Sequence, residues 1–180
     1  MCDLPLQYTA MKRLTLLLLF SFLSACSTMS KYTQNLVYSN NIPSAWTMTG
    51  RLSATNKGET ESANFELNRK GKYHQLTLSN TLGFGQIQIQ QTAQGLLVDD
   101  KLTEQTLQEW MRVKLGWSFP VEKLERLVFK HDLSNAENWQ VKVSKYQVIN
   151  EVAYPKIVRL VNVDKAIKIK LLLRKINRLK

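Results

Sequence analysis

The chain has few residues that could cross-link it or bind a metal, since its 180 residues include two cysteines and two histidines. Cys2 and Cys26 both stand near the start, which leaves no pair for a disulfide framework and no thiolate set for a zinc site. His74 and His131 have no cysteine or further histidine at ligand spacing, so no metal site is expected. Burial of apolar side chains must therefore stabilise the fold.

Sequence motifs of catalysis are missing as well. The seven glycines form no phosphate-binding loop, and the sequence has no nucleophile elbow and no zincin helix. We therefore expect a protein that is not an enzyme, has no catalytic residues and needs no cofactor.

No apolar run approaches the roughly 20 residues that a transmembrane helix needs. The apolar run at residues 14–22 is much shorter, follows Lys12-Arg13 and precedes Leu23-Ser24-Ala25-Cys26. A basic start, a short apolar core and small residues before a cysteine are typical of an export signal that ends in a lipoprotein cleavage box. We expect residues 1–25 to be removed as a signal peptide and Cys26 to carry lipid.

The residue after the lipidated cysteine bears on the destination of the protein. In bacterial lipoproteins an aspartate there favours retention in the inner membrane, and this chain has Ser27. We therefore expect a lipid-anchored protein of the cell outer membrane that faces the periplasm. Translation could begin at Met1 or at Met11, which directly precedes the basic pair.

Acidic residues are outnumbered, with 14 against 25 basic ones and a net charge of +11. Loss of Lys12, Arg13 and Asp3 with the signal peptide lowers this by one. Such an excess suggests nucleic acid, an anionic membrane or an acidic partner. Export excludes nucleic acid as a partner.

Alternation of apolar and polar residues dominates the sequence after Trp46. It recurs at residues 48–53, 65–68, 75–78, 86–90, 141–143 and 167–171. This period of two predicts half-buried antiparallel strands. The turn signals between them are Asn56-Lys57-Gly58, Arg69-Lys70-Gly71, Gly83-Phe84-Gly85, Gln94-Gly95 and Asn162-Val163-Asp164.

Two short helices interrupt this pattern. Apolar residues recur at helical spacing between Leu107 and Leu115, with Thr103 as the predicted cap and Gly116 as the stop. A second helix is predicted over residues 120–128, with Pro120 in its first turn. The sequence therefore predicts a mainly β fold: an unclosed antiparallel β-barrel, or half-barrel, whose opening is covered by short helices. Residues 26–43 are predicted to be a lipidated N-terminal tether, and residues 44–180 a single domain.

An ordered set of motifs resembles the LolB family of outer-membrane lipoprotein receptors. The motifs are the lipobox, Gly50-Arg51-Leu52, Leu78-Ser79-Asn80-Thr81-Leu82-Gly83, Leu115-Gly116-Trp117-Ser118-Phe119-Pro120-Val121 and Asn138-Trp139-Gln140-Val141. The resemblance extends from Trp46 to about Leu173. It implies a half-barrel that accepts lipoproteins from a soluble LolA-like periplasmic carrier and places them in the outer membrane, without covalent chemistry. The implied partners are this carrier, acylated lipoprotein cargo and outer-membrane lipid, and a monomer is expected.

Such a receptor needs an apolar concave face that is not completely filled, because exposed acyl chains cost free energy in water. Candidate cavity residues are Leu76, Leu78, Ile87, Ile89, Trp117, Val141, Val143, Ile167 and Ile169. Alternation predicts a buried face and does not separate a cavity from a filled core. Both interpretations remain open at this point.

The resemblance also implies a membrane-insertion loop at Leu82, Gly83 and Phe84. In the family a leucine ahead of this glycine protrudes and is needed for delivery of cargo into the membrane. The alternative is that Leu82 folds back into the core. The basic residues Lys168, Lys170, Arg174, Lys175, Arg178 and Lys180 could face anionic headgroups or an acidic rim on the carrier, or they could be a solvated strand face and tail.

A different non-enzymatic class fits the same leader. A structural or assembly lipoprotein of an outer-membrane biogenesis complex would have a filled core and an exposed flat patch. The receptor requires an open apolar cavity instead.

Overall fold

The computed structural model describes residues 36–80, 85–135 and 138–179. Cys26 and the loop residues Leu82, Gly83 and Phe84 lie outside the described residues. No helix in the described part of the chain is long and apolar enough to cross a membrane.

The described chain contains nine strands and two helices. The helices separate a longer run of strands from a shorter one. The elements are β1 (Ala45–Asn56), β2 (Glu59–Lys70), β3 (Tyr73–Ser79), β4 (Gln86–Thr92), β5 (Gly95–Val98), β6 (Lys101–Thr103), α1 (Leu107–Leu115), α2 (Val121–Lys130), β7 (Trp139–Ile149), β8 (Val152–Asn162) and β9 (Ile167–Leu179).

All nine strands form one antiparallel sheet in the order β6-β5-β4-β3-β2-β1-β9-β8-β7. The two end strands, β6 and β7, do not pair with each other, so the sheet is open and the predicted mainly β half-barrel is confirmed. The chain passes from one open edge to the other through α1 and α2. The connectivity therefore carries both helices across the opening.

Alternation along the strands separates the inner from the outer face as predicted. On β1, Trp46, Met48 and Leu52 are buried, whereas the intervening residues include the exposed Arg51. The inner face packs against buried residues of both helices, among them Trp110, and forms one apolar core. Burial of this face supplies most of the favourable free energy of folding.

The cap of α1 differs from the prediction. Thr103 ends β6, and the N-cap of the helix is Thr106, three residues later. The Glu109 backbone N–H donates to Thr106 Oγ at 3.2 Å, and the Thr106 backbone N–H donates to Glu109 Oε2 at 2.8 Å. Thr103 was the wrong choice because a reciprocal capping box needs Glu or Gln three residues after the cap. Gly116 ends the helix in the left-handed conformation, as predicted.

Gly50 lies where β1 and β9 come unusually close. The register between these strands shifts at Thr49 and Gly50. A Cβ on Gly50 would meet the backbone carbonyl oxygen of Leu172 and would lie 2.8 Å from Cε1 of Phe65. Because the carbonyl belongs to a paired strand, it has little freedom to move aside.

We predict that Gly50→Ala lowers the free energy of unfolding by about 1–3 kcal/mol, as expected for overpacking of a core. Urea denaturation is the measurement. The control is Ser53→Ala on the outer face of the same strand, which should change stability by less than about 0.5 kcal/mol. Equal stability of the Gly50→Ala variant and the unsubstituted protein would contradict the close approach.

Candidate functional site

An apolar cavity lies between the inner face of the sheet and the two helices. Its lining comes from β1, β2, β3, β8 and β9 on one side, and from α1, α2 and the segment between them on the other. The lining residues are Leu52, Phe65, Leu67, Leu76, Leu78, Met111, Leu115, Trp117, Phe119, Val121, Leu124, Leu160, Ile169 and Leu171. None of them carries a charge, so the site suits an apolar ligand.

The cavity is small in this structure. Its free volume is about 60 Å³, whereas sites for small organic ligands usually have about 300–1,000 Å³. A chain of methylene groups does not fit into the present space. Binding of an acyl chain would therefore require part of the lining to move.

The structure brings together four of the nine cavity candidates: Leu76, Leu78, Trp117 and Ile169 line the cavity. The other five have a different environment. Ile89 and Ile167 are buried in the core outside the lining, and Ile87, Val141 and Val143 are partly buried and pack against the core.

Several lining residues were not among the sequence candidates. Leu52, Phe65 and Leu67 lie on the buried faces of β1 and β2, and Met111 and Leu115 lie on α1. The alternation and helical spacing that predicted these elements could have indicated their buried faces. Which buried residues border free space depends on the placement of the helices, which local patterns do not give.

A buried carboxylate joins α2 to the sheet. Glu125 is 4% exposed, and its Oε1 accepts a hydrogen bond from Trp46 Nε1 at 2.8 Å and an ion-paired hydrogen bond from Arg69. His74 Nε2 lies 4.0 Å from Glu125 Oε2, and His74 Nδ1 lies 3.1 Å from Gln91 Oε1. The carboxylate therefore connects α2 to side chains of β1 and β2 and lies beside His74 of β3.

The other buried charge of α2 secures the chain just after the helix. Lys123 is 2% exposed and lies 3.0 Å from Asp132 Oδ1, and its Nζ donates to Ser134 Oγ at 2.5 Å. Hydrogen bonds from the Ser134 side chain and from Lys123 hold the pKa of Asp132 well below its usual range. Asp132 thus remains ionised, which compensates the buried ammonium group.

Aromatic stacking fixes the N-terminal end of the described chain against the end of α2. Tyr38 stacks on His131 with ring centroids 3.7 Å apart, and Tyr146 contacts both rings at 5.5 Å. Burial lowers the pKa of His131 and raises that of Tyr146. The neutral forms of both groups are therefore favoured, and part of the predicted tether lies against the domain.

The attachment of α1 is different in kind. Leu107, Trp110 and Met111 are its buried residues. Among the described residues, its side-chain hydrogen bonds join Thr106 and Glu109 within the helix cap. Apolar contacts thus hold α1 over the sheet, whereas α2 also has buried polar attachments.

Part of the chain is similar to a known protein family. Residues 44–131 match the model of the family described as "Outer membrane lipoprotein LolB". The match includes β1–β6 and both helices, and it ends before the Asn138–Val141 motif.

The match confirms the resemblance that the sequence motifs indicated. LolB is a family of outer-membrane lipoproteins that act as receptors in lipoprotein localisation, together with lipoprotein cargo and LolA-type carriers. It is not a family of enzymes.

The chain matches no curated protein in sequence. Its fold aligns with the crystal structure of a DUF1329 family protein from Desulfovibrio piger at a TM-score of 0.44 and 9% sequence identity, over 77% of this chain and 87% of that chain.

We predict that Glu125→Ala lowers the free energy of unfolding by about 2–4 kcal/mol, because it leaves Arg69 and the Trp46 N–H without their acceptor. Glu125→Leu should cost a similar amount, and the double variant Arg69→Met/Glu125→Leu should lose less than the sum of the losses of Arg69→Met and Glu125→Leu, since no charge remains unpaired. Chemical denaturation of the four members of this cycle is the measurement.

Glu122→Gln on an exposed position of the same helix is the control for this cycle. It should change stability by less than about 0.5 kcal/mol. Strictly additive losses in the double variant would show that Arg69 and Glu125 do not act as a pair.

Proposed function

We propose that this protein is a lipid-anchored receptor on the periplasmic side of the outer membrane, which accepts lipoproteins from a LolA-like carrier and inserts them into that membrane. The apolar cavity supports this proposal most directly. Most of its lining residues fall within residues 44–131, the part of the chain that matches LolB. The cavity would receive the acyl chains of the cargo.

The energetics of acyl chains explain why a cavity is needed. Each methylene group exposed to water costs about 0.8 kcal/mol, so a chain of a dozen methylenes costs about 10 kcal/mol. A cargo lipoprotein can therefore cross an aqueous compartment only if its chains pass from one apolar site to another. Transfer proceeds towards the receptor if the receptor holds the chains more tightly than the carrier does.

The small size of the cavity implies that acceptance includes a conformational change. Glu125 and Lys123 attach α2 to its surroundings through buried polar contacts, whereas apolar contacts hold α1. We therefore propose that α1 and the segment that carries Trp117 move away from the sheet, while α2 stays in place. Met111, Leu115 and Trp117 would then free space beside the sheet residues of the lining.

One observation favours the second candidate, a structural or assembly lipoprotein of an outer-membrane biogenesis complex. A free volume of about 60 Å³ is close to that of a filled core. The two functions differ in whether the core accepts an acyl chain, and transfer of cargo separates them.

The decisive experiment uses a labelled lipoprotein bound to a purified LolA-like carrier and a Cys26→Ala form of this chain, which cannot be acylated. We predict that the chain takes up the label and empties the carrier. The measurement is the amount of label that accompanies each protein after the two are separated by size. If properly folded protein takes up no label, the receptor function is wrong and the assembly lipoprotein becomes the better candidate.

Two positions on β9 provide a matched pair for this assay. Ile169 and Ile167 are 2% and 3% exposed, and Ile169 lines the cavity whereas Ile167 does not. Ile169→Thr should weaken cargo retention about threefold to tenfold, because it places a hydroxyl group in an apolar site. Ile167→Thr should destabilise the fold to a similar extent and leave retention nearly unchanged.

Membrane insertion is proposed to depend on Leu82, which lies outside the described residues. This proposal rests on the LolB resemblance. An exposed leucine gains about 1.5–3 kcal/mol on entering an apolar medium, enough for a transient contact with a bilayer. Leu82→Glu should leave folding and cargo uptake intact and block release of cargo into vesicles. Leu82→Met is the control and should retain release; normal insertion by folded Leu82→Glu protein would refute the role of the loop.

A further inference from the structure

Three cations lie side by side on the outer face of the sheet. Lys142 of β7 pairs with Arg159 of β8, and Arg159 pairs with Lys170 of β9. All three side chains are exposed. Because neighbouring strands are about 4.8 Å apart, the row brings three positive charges within about 10 Å along the sheet.

Two further cations extend this row. Lys168 lies two residues before Lys170 on the same face of β9, and Arg51 lies two residues before Ser53, the β1 partner of Lys170. We call Arg51, Lys142, Arg159, Lys168 and Lys170 the basic face.

The residues paired directly with the basic face supply no negative charge, and Glu66, which lies diagonally to Arg51 on β2, forms no ion pair with it among the described residues. Apart from the cations that pair with each other, the residues in register with the basic face on the adjoining strands are uncharged: Ser53, Thr55, Asn64, Val161 and Leu172. The ion pairs within the described ranges involve none of the five cations. Like charges directly opposite each other destabilise a sheet, so the basic face needs an explanation outside the fold.

Protection of a sheet edge explains only part of it. Lysines on edge strands discourage pairing with other chains, and Lys142 lies on the edge strand β7. Arg159 and Lys170 lie on interior strands, where both backbone edges are already paired. Their charge must serve another contact.

Aliphatic side chains on the same face indicate the kind of partner. Ile157 and Leu172 pair with each other one row from Arg159 and Lys170, and Val161 pairs with Lys168 on the other side. All three are only partly buried. Cations that alternate with aliphatic side chains suit a bilayer surface, where phosphate groups lie above acyl chains. An acidic protein surface would provide carboxylates and would leave these aliphatic groups facing polar groups.

We propose that the basic face docks on anionic phospholipid of the membrane, and this inference rests on the lipid anchor of the proposed function. This contact is additional to the proposed function, because it requires neither cargo nor carrier. The register also aligns Arg51 with Asn64, and Asn64 with Ser79 at the end of β3. The basic face therefore lies in the half of the sheet that contains the end of β3 and the start of β4.

The test measures binding of the Cys26→Ala chain to vesicles of phosphatidylethanolamine with phosphatidylglycerol, against vesicles of phosphatidylcholine alone. We expect binding to the anionic vesicles that weakens between 50 and 300 mM salt. One cation near an anionic bilayer contributes about fivefold to partitioning, so Arg159→Gln/Lys170→Gln should lower it about 25-fold.

The matched control is Lys72→Gln/Lys101→Gln, which removes the same charge from exposed positions outside the basic face. It should keep most of the vesicle binding, and both double variants should still take up cargo from the carrier. Equal losses in the two double variants, or no binding to anionic vesicles, would overturn the proposal. So would an Arg159→Gln/Lys170→Gln protein that keeps vesicle binding and loses uptake from the carrier, because the face would then serve an acidic protein.

Discussion

The structure depends on one constraint: a nine-stranded sheet that does not close leaves an apolar face that something else must cover. A closed barrel would bury this face by itself. Here the chain covers it by passing from the edge strand β6 to the edge strand β7 through two helices. The cavity is a consequence of this arrangement, since helices laid over a curved sheet need not fill the space beneath them. In the same arrangement, apolar contacts hold α1 over the sheet, whereas α2 also has buried polar attachments.

Local patterns in the sequence were sufficient for the fold class. Alternation gave the inner faces of β1, β2, β3, β4 and β9, and the spacing of apolar residues gave both helices. The sequence interpretation did not name β8 as a strand. In β8 the consecutive residues Ala153, Tyr154 and Pro155 are all buried, so alternation is lost there, and proline argues against a strand. Tertiary contacts overrule the local pattern in this segment.

The candidate site was predictable to a lesser extent, for a physical reason. Parity predicts that Ile167 and Ile169 face inwards, and both do, but only Ile169 borders the cavity. The difference depends on where α1 and α2 lie above β9, and no local pattern encodes that position. Glu125 illustrates the same limit. A glutamate on an amphipathic helix is normally exposed, and its burial here follows from the donors that Trp46 and Arg69 bring from distant strands.

The free energy needed to lift α1 from the sheet connects the small cavity with the proposed function. Lifting α1 exposes Leu107, Trp110 and Met111, each at a cost of about 1.5–3 kcal/mol. The total is about 5–9 kcal/mol, which would keep the cavity closed when it is empty. A single acyl chain of a dozen methylenes gains about 10 kcal/mol on leaving water, which offsets this cost. A receptor built in this way would open for acylated cargo and stay closed to small apolar molecules, because only a long chain buries enough surface to displace the helix.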